Sequence, residues 1–145
     1  MSTLKEKSEM NINAARVLTG DKELCSASIH CAYYSCYQLI NYFLNNELHL
    51  DEMGRKQQYD NYVRGQKNTG GKILGSHEYW LSQFINNFKS KKPCEASRVY
   101  GNLMKLKHAR TKADYSTTDY FKKDTDQLYE MAKDTRKRII KTYES

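Results

Sequence analysis

The chain has 145 residues and a formal net charge of +7, because 24 lysines and arginines face 17 aspartates and glutamates. This length suits one domain, residues 1–145, that buries a core without metal or disulfide support. One proline, seven glycines and recurrent apolar spacings of three and four residues favour an all-α fold. No apolar run approaches a membrane span or a signal core, so we expect a cytoplasmic protein without membrane association.

The first predicted helix runs from about Lys5 to Thr19. Thr3 and Glu6 have the spacing of a capping box, and Gly20 can take the left-handed conformation that ends a helix. The residues expected on its inner stripe are Leu4, Ser8, Ile12, Ala15 and Leu18.

A second helix is predicted after Asp21, a good N-cap, and it continues to about Asn45. Spacings of three and four residues place one seam at Cys25, Ile29, Ala32, Cys36, Leu39 and Phe43. Tyr33, Tyr34 and Tyr37 lie beside this seam, where their rings can pack and their hydroxyls can reach a buried polar group on a neighbouring helix.

The cysteines indicate packing rather than metal chemistry. Cys25, Cys31 and Cys36 have spacings that fit neither a CxxC pair nor a zinc knuckle. His77-Glu78 also lacks the second histidine of an H-E-x-x-H motif, because position 81 is leucine. We expect no metal site and no cofactor.

The polar, glycine-containing segment from Asn46 to Gly75 is predicted to be a long connection. In one interpretation its basic residues close over an anion while Tyr59 and Tyr62 stack on a base. In the other it is a disordered surface loop. Gly70-Gly71-Lys72 is not a phosphate-binding P-loop, because isoleucine follows the lysine.

A short third helix is predicted after Ser76 as N-cap. The side chains expected to face inward from it are His77, Trp80, Leu81, Phe84 and Phe88. His77 is interpreted either as a packed, hydrogen-bonded residue near the core or as an acid–base group.

The fourth predicted helix runs from about Glu95 to Ala113 and carries an arginine within an apolar stripe. That stripe consists of Leu103, Leu106, Arg110 and Ala113. Desolvating a guanidinium is costly unless a partner satisfies it, and Asp114 is four residues away on the same helix face. Arg110 and Asp114 therefore form a candidate functional pair; the alternative is an arginine at the rim whose head reaches water.

The basic residues are concentrated in one segment. Between Lys89 and Lys112 there are eight basic residues and a single acidic residue, Glu95, so this segment carries the whole net charge of +7. Such a strip attracts phosphates, which favours a nucleotide or RNA as partner over an acidic protein. A solvated helix face without a ligand is the alternative.

A polar turn at residues 115–119 and a last helix ending at about Tyr143 complete the chain. The seam of this helix is expected at Phe121, Thr125, Leu128, Ala132, Thr135, Ile139 and Thr142. Five helices with short connections, except one, predict an antiparallel, up-and-down helical bundle.

Three short motifs, in this order and spacing, resemble the HEPN superfamily of small prokaryotic helical bundles. They are Ala32-Tyr33-Tyr34, Ser76-His77, and Arg110-x-x-Ala113-Asp114-Tyr115. The resemblance implies a helical bundle that is frequently a homodimer and is often associated with a nucleotidyltransferase in toxin–antitoxin-like pairs. It also implies a possible activity, since many members are metal-independent RNases.

The chain departs from the RNase members, which have an arginine followed four to six residues later by histidine. No arginine here has a histidine at that interval. Asp114 can accept a proton but is a poor cationic acid near neutral pH. The first hypothesis is therefore a non-catalytic nucleotide- or RNA-binding module, and the alternative is an RNase in which His77 or His108 replaces the missing histidine. The candidate ligand-binding residues are His77, Lys107, Arg110, Lys112, Asp114 and Tyr115.

Overall fold

The computed structural model describes residues 3–115 and 122–145, apart from the side chains of Lys22, Tyr115 and Lys122. The protein is an all-α helical bundle, and the described residues form six α-helices. Their bounds are α1 Leu4–Leu18, α2 Cys25–Leu48, α3 Glu52–Thr69, α4 Ser76–Lys91, α5 Pro93–Tyr115 and α6 Lys122–Tyr143.

The predicted capping box starts α1. The hydroxyl of Thr3 accepts from the backbone N–H of Glu6 at 3.1 Å, and the Glu6 carboxylate accepts from the Thr3 N–H at 2.9 Å. The predicted left-handed conformation at Gly20 is wrong, because Gly70 is the described glycine with a positive φ and Thr19, the C-cap of α1, is right-handed. The Gly20 N–H instead donates to the Val17 carbonyl in a turn that follows the helix.

Helix α2 is the central element and contacts α1, α4, α5 and α6. All six residues of its predicted seam are buried, and so are Tyr33, Ile40 and Leu44, so more than one face of the helix packs against neighbours. Asp21 caps a short 3₁₀ turn, Lys22–Leu24, that precedes α2. The helix also continues beyond the predicted end to Leu48.

Helix α3 replaces most of the connection predicted between α2 and α4. Asp51 accepts from the Gly54 N–H at 2.7 Å at its start, and Gly70 ends it with a φ of 70°. No residue of α3 is buried, so the sequence has no apolar stripe to signal this helix. Arg55 ties it to α2 through bonds of 2.8 Å to Asn45 and 2.9 Å to Asn41.

Helix α4 is longer than predicted and begins without a side-chain cap. Ser76 was expected as the N-cap, but it is the first helical residue, and Gly75 occupies the cap position. Since glycine has no side chain, the first backbone N–H groups of α4 receive no hydrogen bond from the cap residue. Four of the predicted inward residues are buried, namely Trp80, Leu81, Phe84 and Phe88.

Helices α5 and α6 pack on α2 and on each other. Tyr34 contacts Arg110 and His30 contacts Asp114, so α2 and α5 are antiparallel. Helix α5 continues to Tyr115, beyond its predicted end. Thr125, Ala132, Thr135 and Ile139 of the predicted α6 seam are buried, whereas Phe121 and the turn at 116–119 lie outside the described residues.

The basic segment does not form one continuous surface. Lys89, Lys91 and Lys92 lie where α4 ends and α5 begins, whereas Lys107 and Lys112 lie near the other end of α5. A helix of 23 residues is about 34 Å long, so the two groups are well separated.

Along the described ranges, no helix combines the length and apolar content that crossing a bilayer requires.

Candidate functional site

Arg110 has its aliphatic stem beside the core and its charged head at the edge of the bundle. Leu103 and Leu106, on the same face of α5, are fully buried. The Arg110 Nη2 donates to the Tyr34 hydroxyl at 2.8 Å, and its Nε lies 3.3 Å from an Asp114 carboxylate oxygen. The predicted pair with Asp114 therefore forms, and the Arg110 side chain remains 16% exposed.

The contact between Arg110 and Asp114 is an ion pair rather than an aligned hydrogen bond. Among the described residues, the Arg110 Nε is a buried nitrogen without a hydrogen-bond partner of good geometry. Asp114 also lies 3.4 Å from Nδ1 of His30, a residue that the sequence did not single out. Asp114 thus lies beside the Nε of the guanidinium without making an aligned hydrogen bond to it.

His77 occupies the first turn of α4, surrounded by tyrosines of α2. Its Nδ1 lies 2.8 Å from the Tyr33 hydroxyl, and its ring stacks on Tyr37 with centroids 4.1 Å apart and planes 1° apart. Burial lowers the pKa of His77, and the nearby positive charges of Arg110 and Lys107 lower it further. A half-buried, neutral imidazole at neutral pH follows.

These side chains line an open depression of about 340 Å³. Its lining residues are Gly75, Ser76, His77, Glu78, Lys107 and Arg110. The depression lies over the start of α4, where the first-turn N–H groups and the helix dipole favour negative charge. Arg110 and Lys107 add two positive charges, so the depression can hold a small tetrahedral anion.

Glu78 moderates that charge. Its carboxylate lies 3.5 Å from the Lys107 ammonium, and both side chains line the depression. The sequence predicts Lys107 as a site residue but not Glu78. The sequence feature that could have indicated Glu78 was an acidic residue in the first turn of a helix that begins after a glycine.

The structure brings only part of the predicted set together. His77, Lys107 and Arg110 share the depression, and Asp114 supports Arg110 from behind. Lys112 is exposed and does not line the depression. Two residues along a helix rotate the side chain by about 200°, which places it on the opposite face of α5 from Arg110. The side chain of Tyr115 lies outside the described residues.

The tyrosines of α2 do what their spacing indicated. The hydroxyls of Tyr33 and Tyr34 reach His77 on α4 and Arg110 on α5. The guanidinium carbon of Arg110 also lies 5.4 Å from the centre of the Tyr34 ring. These contacts fix two polar side chains of different helices at one place, which is the condition for a preorganised binding site.

His108, the other histidine considered for catalysis, does not line the depression. It is exposed on α5, two residues before Arg110 and turned away from it. Across the described portion of the chain, no three histidine, cysteine or acidic side chains lie close enough to hold a metal ion.

The chain matches no protein-family model, no curated protein and no solved structure.

Proposed function

We propose that this protein is a non-catalytic, HEPN-like module that binds a nucleotide or RNA through a phosphate group. The observation that carries the proposal is the convergence of Arg110, Lys107 and His77 on the uncapped start of α4. Backbone N–H groups and a guanidinium together match the oxygens of a phosphate. The depression is open to solvent, so it can accept a phosphate that belongs to a longer chain.

The pKa of His77 supports binding rather than cleavage. RNA cleavage without a metal needs one group that removes the 2′-hydroxyl proton and another that protonates the leaving oxygen. Because the pKa of His77 is lowered, little of the cationic acid is present at neutral pH. Burial raises the pKa of the neighbouring Tyr33 hydroxyl far above 10, which makes it a poor acid as well.

A metal-independent RNase is the second candidate function. It is favoured by one observation, the presence of His77 and Arg110 in the same depression although they are far apart in sequence. In such an enzyme the neutral His77 removes the 2′-hydroxyl proton while Arg110 holds the scissile phosphate. His108 does not serve this alternative, since it is exposed outside the depression.

Incubation with end-labelled single-stranded RNA in chelator-treated buffer separates the two candidates. If the protein is a binding module, it binds the RNA without cleaving it. Its affinity for RNA then falls as the salt concentration rises, because phosphate contacts release counterions. Arg110→Ala is expected to lose this binding, whereas Lys89→Ala, at the other end of the bundle, serves as the matched control. Cleavage by the wild-type protein that disappears in a folded His77→Ala variant would establish the RNase instead.

Two partners are proposed on the HEPN resemblance, namely a nucleotidyltransferase and a second copy of this chain. The outer face of α1 supports the second of these, because Met10 and Val17 are 64% and 68% exposed and lie on one side of the helix. Sedimentation equilibrium of the wild-type chain and of a Val17→Glu variant tests the homodimer. Co-purification with the product of a neighbouring gene tests the nucleotidyltransferase.

A further inference from the structure

The bond between Tyr33 and His77 determines which nitrogen of the imidazole carries its proton. The Tyr33 hydroxyl and the His77 Nδ1 are 2.8 Å apart, and either group has the chemistry to donate. If Tyr33 donates, the neutral ring keeps its proton on Nε2. If His77 donates, the proton is on Nδ1 and Nε2 becomes an acceptor.

The surroundings of Tyr33 favour donation by the hydroxyl. Tyr33 is fully buried, so its O–H proton needs an acceptor within the protein. Tyr34 packs edge-on against its ring with centroids 5.2 Å apart, and the Arg110 guanidinium carbon lies 5.6 Å from the ring centre. Arg110 has no acceptor to offer, and His77 Nδ1 is the acceptor that lies at bonding distance.

The orientation of the His77 ring is fixed as well. Tyr37 stacks on one face with near-parallel planes, and Tyr34 packs edge-on at a centroid distance of 5.9 Å. The ring therefore cannot turn freely to exchange its two nitrogens. Because Tyr33 engages Nδ1, Nε2 is the ring nitrogen that remains to contact a ligand in the depression.

We propose that Tyr33 is a positioning residue that holds neutral His77 as the Nε2–H tautomer, so that His77 donates a hydrogen bond to a bound phosphate oxygen. The inference rests on the proposed function for the ligand, but the tautomer is a property of the free protein. In this arrangement His77 is a neutral hydrogen-bond donor rather than an acid or a base. A phosphate can then be bound by His77 without a charged imidazole.

The charges around His77 give this arrangement a pH signature. Tyr33, Tyr34 and Tyr37 face the ring from α2, Lys107 and Arg110 approach it from α5, and Glu78 is its neighbour on α4. Phosphate binding is expected to strengthen when acid protonates His77, because a positive charge is added. It is also expected to persist above neutral pH, where the neutral Nε2–H still donates.

Long-range proton–nitrogen NMR spectra of histidine-labelled full-length protein at pH 8 read the tautomer directly. The wild-type protein is expected to show Nε2–H at His77, and Tyr33→Phe is expected to show a mixture of tautomers. Tyr143→Phe is the matched control, because its hydroxyl donates to Asn87 at 2.7 Å, away from the depression. Titration with adenosine monophosphate at the same pH is expected to give about fivefold weaker binding in Tyr33→Phe only.

An Nδ1–H tautomer at His77 of the wild-type protein would overturn the inference whatever the titration shows. An unchanged tautomer in Tyr33→Phe would also overturn it, because the hydroxyl would then not set the proton position. If the wild-type protein shows Nε2–H but binds neither adenosine monophosphate nor RNA, the proposed function fails, and with it the role of His77 as a donor to phosphate.

Discussion

Arg110 and Tyr34, 76 residues apart in sequence, are joined by a hydrogen bond of 2.8 Å from the guanidinium to the phenol oxygen. This bond connects α5 to the central helix α2 at the edge of the depression. A planar guanidinium held at one nitrogen and flanked by a carboxylate keeps a fixed direction, which a flexible ammonium does not. Tyr34 is therefore part of the reason why Arg110 is a candidate phosphate ligand.

Arg110→Lys tests the importance of that direction. The substitution keeps the positive charge but loses the planar donor set and the bond to Tyr34, so we expect phosphate affinity to fall about tenfold. The free energy of unfolding is expected to fall by about 1 kcal/mol, since one hydrogen bond is removed at a partly exposed site. Calorimetric titration with adenosine monophosphate and chemical denaturation measure the two effects. Undiminished binding in this variant would show that the site requires only the positive charge at position 110 and not the planar donor set of arginine.

Asp114→Asn separates the structural role of the ion pair from its effect on the ligand. Both side chains of the pair are partly exposed, so the loss in unfolding free energy is expected to be about 1 kcal/mol or less. Anion affinity is expected to rise about twofold, because a negative charge beside Arg110 is removed. Asp60→Asn, on the exposed part of α3, is the control. A loss of several kcal/mol would identify a buried structural pair.

The lowered pKa of His77 predicts the direction in which pH changes stability. The unfolded chain binds a proton at this histidine more readily than the folded protein, so acid favours unfolding. The contribution of neutral His77 is complete above about pH 6.5 and is lost as the pH falls below that value. His77→Gln is expected to flatten the dependence of the melting temperature on pH below about 6.5. His108→Gln, at an exposed position, is the control substitution.

Helix α3 is expected to open more easily than the rest of the bundle. None of its residues is buried, and Arg55 connects it to α2 and lies over the Trp80 ring at 3.9 Å. Hydrogen exchange measured by mass spectrometry should show lower protection in α3 than in α2. Arg55→Ala should lower it further, whereas Arg64→Ala, whose side chain bonds within α3 to Asn61, should not. Equal protection of α2 and α3 in the wild-type protein would contradict this description.

The helical bundle could be predicted because most helices carry a strong apolar period. The seams of α2 and α6 were predicted from spacing, and the capping box at Thr3 fixed the start of α1. Helix α3 was missed because it has no apolar stripe: it is held by hydrogen bonds to its neighbours and by the half-buried rings of Tyr59 and Tyr62, which pack against Tyr79. The burial of Arg136 on α6 was not predicted, because its hydrogen bonds to Ser8 and Glu9 of α1 depend on how the two helices pack.

The site could be predicted only in part. Arg110 and Asp114 were found because a charge within an apolar stripe requires a nearby partner on the same helix. The contributions of Glu78, His30 and the uncapped start of α4 depend on how separate helices pack, which no local pattern specifies. The basic segment gave a misleading impression of one surface, because the chain turns at Pro93 and carries its two ends to opposite ends of α5.

The most direct test of the phosphate site is an NMR titration of the full chain with adenosine monophosphate at neutral pH. The largest backbone amide shifts are expected at Ser76, His77 and Glu78, and Arg110→Ala is expected to abolish them while the remaining spectrum shows a folded protein. Saturating shifts centred instead on Lys91, Lys92 and Lys141, at the other end of the bundle, would contradict the proposed phosphate site.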